Sequence, residues 1–410
     1  PQIKKIKDVL SKIFSNRSSV YFSAGAYLKS FYSAKQSWWL SDKTFNKAKL
    51  KIAYAAMKLG WFYKARKIIA QQNEPIDEAE FNKNIANAAS DENSIKVLTS
   101  LDPNGFSSYL GPMEVFKGPG GRSYRAVEDI EVGTTLLIDK KYFPCETLAE
   151  LCYELLNYLD QNEDMRALYM RLYPCKKYPV QKQSDSISLV AKVTKEQFEA
   201  KRGDKTWKNF SQEEINEFIM KLIYNGFKDF HSKEVMYTQL SLFNHSCAPN
   251  AVLLEGEHGI IVKAVRPIPK GSEVLISYVS QHDNYAERQT VCEYYGFKCE
   301  CARCVTKDRQ KDEKRVKKIS EVFDNIPDFG NDYSKLKEWF AGVVKLAKHV
   351  ITNGFYIKIL YLLPKYKDYF YEEVDESMVK RTERFEEFKQ MFSVIGITPG
   401  ITEYFISSIN

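Results

Sequence analysis

The sequence predicts an α+β protein in which a β-rich central region lies between two helical regions. Small and apolar residues recur at helical spacing over about the first hundred residues. Short β-rich runs separated by glycine-containing turns begin near residue 111. Helical patterns return in an aromatic-rich C-terminal region. Because 410 residues exceed one ordinary hydrophobic core, we expect several domains.

The composition is that of a globular protein, since 44% of the residues are hydrophobic. The net charge of +7 is spread along the chain, which does not favour a dedicated nucleic-acid site but allows acidic partners. No run of about eighteen uncharged apolar residues occurs, and the opening "PQIKKIKDVL" lacks the apolar core of a signal peptide. We therefore expect no membrane insertion and a cytoplasmic or nuclear location, or both.

Two similar blocks predict helix pairs near the start of the chain. They read "NRSSVYFSAGAYLKSFYSA" and "KAKLKIAYAAMKLGWFYKARKII", with Gly25 and Gly60 near the turns. Small residues in each block let a second helix pack closely, as tetratricopeptide-type repeats require. An ordinary helical bundle is the alternative.

The β-rich region is split by a helical insert. The run "YRAVEDIEVGTTLLI" holds two short strand signals around a turn at Val132 and Gly133. Helical spacing starts at Glu146, and Ser211 with Glu214 has the spacing of a capping box at the start of the last helix of the insert. Strand signals resume in "AVLLEGEHGIIVKAV" and "GSEVLISYV".

A cysteine cluster predicts a metal site. Cys299, Cys301 and Cys304 lie within six residues, and clustered thiols in a chain without a secretion signal indicate metal before disulfide. A structural zinc ion needs four ligands, and Cys247 in "FNHSCAPN" is the candidate for the fourth. The alternative is a set of buried free thiols.

Three segments occur in the order "NHSC", "GSEVLISY" and "YYGFKCECARC", and together they resemble the SET domain of protein lysine methyltransferases with its cysteine-rich post-SET module. The run "EEINEFIMKLIYNGF" followed by "SLFNHSCAPN" resembles the SET-and-MYND (SMYD) family, and the N-terminal helix pairs resemble its tetratricopeptide-containing branch. The resemblance implies a helical region over 1–105, SET segments over 106–144 and 235–282 around an insert over 145–234, a post-SET zinc module over 283–306 and a C-terminal helical domain over 307–410.

The resemblance implies an S-adenosylmethionine-dependent protein lysine N-methyltransferase acting on a histone or non-histone protein. Two departures from the family are visible. The MYND zinc module expected in the split is absent, because Cys145, Cys152 and Cys175 cannot build it. The family's Gly-x-Gly turn is present with serine at its second glycine. The alternative function is a weak or inactive scaffold that binds protein partners through its helical repeats.

The resemblance also assigns site residues. Tyr278 is the catalytic tyrosine and also lies at the cofactor. Cys247, Cys299, Cys301 and Cys304 hold a structural zinc ion. The other residues implied at the cofactor are Gly121, Arg122, Ser123, Asn225, Ser241, Asn244, His245 and Phe297, and those implied along the lysine channel are Phe227, Leu240 and Tyr295.

Overall fold

The fold is described here from a computed structural model of the chain. The structure describes residues 2–402 apart from 71–77, 101, 103, 119–120, 176–179, 181–182, 281–282, 307–308, 331, 348–357, 361, 364–370, 376–377, 382 and 399. None of the helices among these residues is both long and apolar enough to cross a bilayer.

Six helices form the N-terminal region: α1 (Gln2–Ser23), α2 (Tyr27–Leu40), α3 (Asn46–Lys58), α4 (Phe62–Ile69), α5 (Glu78–Ala89) and α6 (Asp91–Thr99). Among the first four, each helix packs on the next, and the turns after α1 and α3 contain Gly25 and Gly60 at φ of 73° and 75°. Positive φ favours glycine, so the two predicted turns are confirmed. That these pairs are tetratricopeptide repeats stays a prediction.

The strands are short and form several small sheets. The main sheet is antiparallel and has the order β1 (Tyr109–Leu110), β4 (Thr135–Lys140), β10 (Gly259–Ala264) and β9 (Ala251–Glu255). A hairpin joins β2 (Met113–Gly118) to β3 (Gly121–Ala126), and β5 (Tyr142–Cys145), β7 (Glu234–Met236) and β6 (Gly226–Lys228) form a third sheet. Strand β8 (Asn244–His245) pairs in parallel with β11 (Leu275–Ile276).

The helical insert has its own apolar core, to which three of its helices contribute most of the buried residues. It contains α7 (Leu148–Gln161), α8 (Glu163–Tyr169), α9 (Asp185–Arg202) and α10 (Gln212–Asn225). Helix α10 begins with the predicted capping box, in which the Ser211 hydroxyl accepts from Glu214 N and the Glu214 carboxylate accepts from Ser211 N. The helices end at Asn225, earlier than the predicted insert boundary at 234, because β6 and β7 follow.

The remaining elements are α11 (Tyr285–Tyr294), α12 (Ala302–Val305), α13 (Arg309–Asp324), α14 (Tyr333–Ala347), α15 (Glu383–Ser393), and a hairpin of β12 (Tyr371–Asp375) with β13 (Met378–Arg381). The C-terminal region is largely helical, as expected, and this hairpin is a β element that the sequence did not predict. In "YEEVD" and "MVKR" a β-branched valine stands among charged residues, which suits a short strand better than an amphipathic helix.

The terminal helical regions are packed into one apolar core with the strands of the main sheet. This core joins Phe31 of α2 to Ile261 of β10 and Phe388 of α15. A polar network crosses the same junction: Asp91 accepts from Lys263 Nζ at 3.2 Å and from the Thr398 hydroxyl at 2.7 Å. The N-terminal helices therefore pack directly on the β-rich region and are not a detached domain.

We expect Asp91→Ala to lower the free energy of unfolding by about 2 kcal/mol, because it leaves the buried Lys263 ammonium uncompensated while Asp91 itself is partly exposed. Lys263 is 1% exposed and Asp91 28% exposed. The matched control is Glu92→Ala, whose ion pair with Lys96 lies in solvent. Urea denaturation measures both variants. Equal stability of the two variants would show that the Asp91 network does not hold the regions together.

Candidate active site and metal centre

The four predicted zinc ligands converge in the structure. The Sγ atoms of Cys247, Cys299, Cys301 and Cys304 all lie within 4.8 Å of one another. Cys247 Sγ is 3.7 Å from Cys299 Sγ and 3.5 Å from Cys304 Sγ. A tetrahedral zinc ion with Zn–S bonds of about 2.3 Å places its sulfur atoms about 3.8 Å apart. The thiol geometry therefore fits zinc.

Local structure holds these cysteines in place. Cys247 follows β8. The other three follow α11, with Cys301 at the N-cap of α12 and Cys304 inside α12. The Gln289 side chain of α11 donates to Cys299 O at 3.1 Å and accepts from Cys299 N at 3.2 Å. The post-SET segment is thus folded back against the loop that carries Cys247.

Two buried arginines next to the thiols give an independent argument for a metal-bound tetrathiolate. Arg288 and Arg303 are 1% and 6% exposed, and both approach Asp312, with Nε of Arg303 donating to its carboxylate at 2.7 Å. Within the described residues, Arg288 Nε and Arg303 Nη2 have no hydrogen-bond partner. Zinc with four thiolates carries two net negative charges, which together with Asp312 would compensate these cations.

A fifth thiol lies beside the four. Cys292 of α11 is 1% exposed and groups with His245 and Cys299. The four-sulfur group is the set that closes a tetrahedron by geometry, so Cys292 is a neighbour of the metal centre and not one of its predicted ligands. The spacing of Cys292 in the sequence gave no signal of this proximity.

Tyr278 lies among aromatic rings at the end of the segment after β11. Its ring centroid is 5.1 Å from that of His245, 5.6 Å from Tyr295 and 6.5 Å from Phe297. Its hydroxyl donates to Phe243 O. Burial raises the pKa of the Tyr278 hydroxyl well above its ordinary value, with a smaller contribution from Tyr295. The hydroxyl therefore stays protonated at neutral pH and is a donor.

His245 connects Tyr278 to the cysteine cluster. The Tyr278 main-chain N–H donates to His245 Nδ1 at 2.9 Å, and His245 Nε2 lies 3.2 Å from Cys247 Sγ. Because Nδ1 accepts, the neutral imidazole carries its proton on Nε2 and donates it to the sulfur. Both ring nitrogens of His245 thus face protein atoms. Only the main-chain polar groups of His245 then remain to contact a cofactor.

Two of the three predicted channel residues, Phe227 and Leu240, belong to one apolar cluster, whereas Tyr295 lies outside it and contacts the Tyr278 ring. Leu240 is buried in it, and Phe227 and Tyr278 pack against it as partly buried side chains. The Asp139 carboxylate accepts from the main-chain N–H groups of Gln239 and Leu240 and so fixes the turn that carries Leu240. Burial raises the pKa of Asp139 to about 6. Sequence reasoning missed Asp139, although an acidic residue after the apolar run "LLI" of β4 was the available signal.

Four of the residues predicted to hold the cofactor have side-chain donors engaged within the protein. Arg122 donates to Arg171 O and Asn225 to Tyr173 O. Ser241 donates to Tyr237 O, and Asn244 donates to Glu273 Oε1 at 2.8 Å. The segment after α8 therefore lines the same region, a role for which its sequence carried no recognised motif.

The Gly-x-Ser turn is accommodated by the fold. Gly121 has φ of 113°, a conformation that favours glycine. Ser123 is fully buried, and its Oγ has no hydrogen-bond partner among the described residues. A buried hydroxyl without a hydrogen-bond partner costs about 1–3 kcal/mol. A polar ligand that hydrogen-bonds to the Ser123 hydroxyl would recover this free energy. This orphaned donor is consistent with a ligand at the turn.

Comparisons with known proteins identify the central region. Residues 121–279 match the family model described as SET domain. A 77-residue segment is 40% identical to the histone-lysine N-methyltransferase ASHR2 of Arabidopsis thaliana, covering 17% of this chain and 19% of the relative. A 148-residue segment is 32% identical to the histone-lysine N-methyltransferase SMYD3 of Mus musculus, covering 31% of this chain and 34% of the relative. The chain thus contains a SET domain with homology to SMYD histone-lysine methyltransferases and spans about a third or less of these relatives.

A solved structure described as the SET domain of LSMT bound to lysine and AdoHcy is 12% identical and superimposes with a TM-score of 0.32 over 77% of this chain and 88% of that chain.

We expect purified protein to contain one zinc ion per chain and Cys301→Ser to lose it, because the four thiolates close one tetrahedron. Cys292→Ser is the matched control: it removes a neighbouring buried thiol outside the set of four and should keep the metal. Inductively coupled plasma mass spectrometry measures zinc in both. Loss of zinc from Cys292→Ser but not from Cys301→Ser would overturn the ligand assignment.

Proposed function

We propose that the chain is an S-adenosylmethionine-dependent protein lysine N-methyltransferase with Tyr278 at its reacting centre. The observation that carries this proposal is the position of Tyr278 within a SET domain, among the rings of His245, Tyr295 and Phe297 and hydrogen-bonded to the main chain of Phe243. Homologues named as histone-lysine methyltransferases support a histone or another protein as the substrate.

The proposed cofactor site combines the glycine turn with the strand that carries "NHSC". Its residues are Gly121, Arg122, Ser123, Asn225, Ser241, Asn244, His245 and Phe297, with Tyr278 at the methyl end. When bound, S-adenosylmethionine supplies a methyl group on a positively charged sulfonium. The buried and unpartnered hydroxyl of Ser123 supports a polar ligand at this turn.

The protein environment would favour the neutral form of the lysine substrate. A lysine with a pKa of about 10.4 costs roughly 4 to 5 kcal/mol to deprotonate at pH 7. Apolar and aromatic walls lower that pKa by desolvation, and Phe227, Leu240 and Tyr295 are the proposed walls. No side chain at this point needs to act as a general base. The protonated Tyr278 hydroxyl instead orients the amine, a positional contribution to the rate.

The zinc centre has a structural role in this proposal. Four thiolates leave no open position for substrate, so the metal stabilises the fold of the segment that carries Tyr295 and Phe297. His245 links that centre to Tyr278 through its two ring nitrogens.

The helical regions are proposed to contact protein partners or the protein substrate. We propose that the chain belongs to the tetratricopeptide-containing branch of the SMYD family and lacks a MYND module. We also propose a cytoplasmic or nuclear location, or both. Because these helices share a core with the SET strands, their role is best tested by surface substitutions and not by deletion.

We expect Tyr278→Phe to lower methyl transfer by about 10²-fold while affinity for the cofactor product changes little, because the hydroxyl orients the reacting groups and does not hold the cofactor. Transfer from labelled S-adenosylmethionine to proteins of a cell lysate measures activity, and calorimetry with S-adenosylhomocysteine measures binding.

The matched control is Tyr54→Phe, which removes the hydroxyl of a tyrosine that is 52% exposed on α3 and should change neither value. Full activity of Tyr278→Phe would remove Tyr278 from the reacting centre. A wild-type chain that binds the cofactor product but labels no protein would favour the scaffold function.

A further inference from the structure

A cavity of about 910 Å³ lies where the N-terminal helices meet the SET domain. One wall comes from α2 and from the residues around α4. The β2–β3 hairpin also lines the cavity, as do Arg171 and Leu172, which follow α8, and Arg171 lies beside α2 with its guanidinium 5.7 Å from the Tyr32 ring centroid. Tyr278, Asn244, His245 and Phe297 do not line it. The cavity is therefore distinct from the reacting centre, and it borders the proposed cofactor residues through Arg122.

The cavity carries a strong excess of positive charge. Eight lysine and arginine residues line it against two glutamates. Both glutamates are already engaged: Glu114 accepts from Lys67 and Arg125 at 2.7 Å each, and Glu128 accepts from the Tyr63 hydroxyl at 2.9 Å. Lys35, Lys64 and Arg171 form no ion pair with any residue that the structure describes. The carboxylates of the cavity therefore leave these cations without a counter-ion.

Lys64 lies at the centre of this uncompensated charge. Its Nζ is 4.8 Å from the ring centroids of both Phe31 and Trp61. Burial lowers the pKa of Lys64 to about 8, with further lowering by the like charges of Lys35 and Arg171. Burial also lowers the pKa of Lys35, again with a contribution from Arg171. An anion in the cavity would offset both the desolvation penalty and the like-charge repulsion by its attraction to these cations.

We infer that this cavity binds an acidic segment of a protein, whose aspartate or glutamate carboxylates face Lys35, Lys64 and Arg171. The inference deepens the proposed role of the helical regions by naming the chemistry of their partner.

Two features favour a peptide over a nucleotide. The Lys64 ammonium already covers the nearby faces of Phe31 and Trp61, which leaves them unavailable for stacking on a base. The eight cations are also contributed by α2, α4, β3, the segment after α8 and Lys270, which is more positions than one phosphate group can contact. Carboxylates spaced along a peptide match this distribution.

Fluorescence polarisation with a labelled eight-residue peptide of alternating glutamate and alanine tests the inference. The matched peptide has glutamine in place of glutamate. We expect the acidic peptide to bind wild-type protein at least tenfold more tightly than the glutamine peptide, with an affinity that falls as salt rises. Lys64→Glu should weaken acidic-peptide binding at least tenfold. Lys58→Glu, an equal charge change on the exposed surface of α3, should alter it less than twofold.

Lys35→Glu provides a second cavity variant should Lys64→Glu fail to fold, as judged by thermal melting, and it should also weaken binding at least tenfold. Equal binding of the two peptides, or equal effects of the cavity and control variants, would overturn the inference. The inference would also be overturned, in favour of a nucleotide, if the wild-type protein bound ATP but not the acidic peptide and Lys64→Glu lost the binding of ATP. Calorimetry with S-adenosylhomocysteine on Lys64→Glu separates this result from the methyltransferase proposal, because Lys64 lies outside the proposed cofactor site.

Discussion

The rest of the site depends on the hydrogen bond from the Tyr278 main-chain N–H to His245 Nδ1. This contact fixes the ring orientation of His245 and directs its Nε2 proton towards Cys247 Sγ. Asn244 and His245 also pair as β8 with β11, just before Tyr278. One short loop therefore sets the positions of Tyr278, the proposed reacting tyrosine, and of Cys247, a proposed metal ligand. Two hydrogen bonds through His245 connect the cysteine cluster to Tyr278.

The surrounding fold makes this arrangement rigid. The Asp139 carboxylate holds the turn before "NHSC", and Asn244 is held by Glu273 from the opposite side. The terminal helices bury apolar residues against the strands of the main sheet, and Asp91 joins them to Lys263. This shared core also forms the basic cavity, because α2 and α4 are placed opposite the β2–β3 hairpin.

Local spacing predicted part of this structure well. Cys299, Cys301 and Cys304 lie within six residues, and the Ser211 capping box is a pattern of four, so both are visible without tertiary information. The convergence of Cys247 with the other three cysteines was predicted from the ligand number of zinc and is confirmed by the thiol geometry. Arg288, Arg303 and the segment around Arg171 could not be predicted, because their roles arise from contacts between elements distant in sequence. The sequence also did not predict that the N-terminal helices share a core with the main sheet. An amphipathic pattern shows which face of a helix is buried but not which element covers that face.

We propose that the metal centre positions the cofactor site through the loop with His245. Calorimetric titration of S-adenosylhomocysteine into the protein, before and after zinc removal by a chelator, tests it most directly, with circular dichroism to verify that the helices remain. We predict that zinc-free protein with preserved helical content binds S-adenosylhomocysteine at least tenfold more weakly, because Cys247 and the segment with Phe297 lose their common anchor. Unchanged affinity in the folded, zinc-free protein would contradict the account.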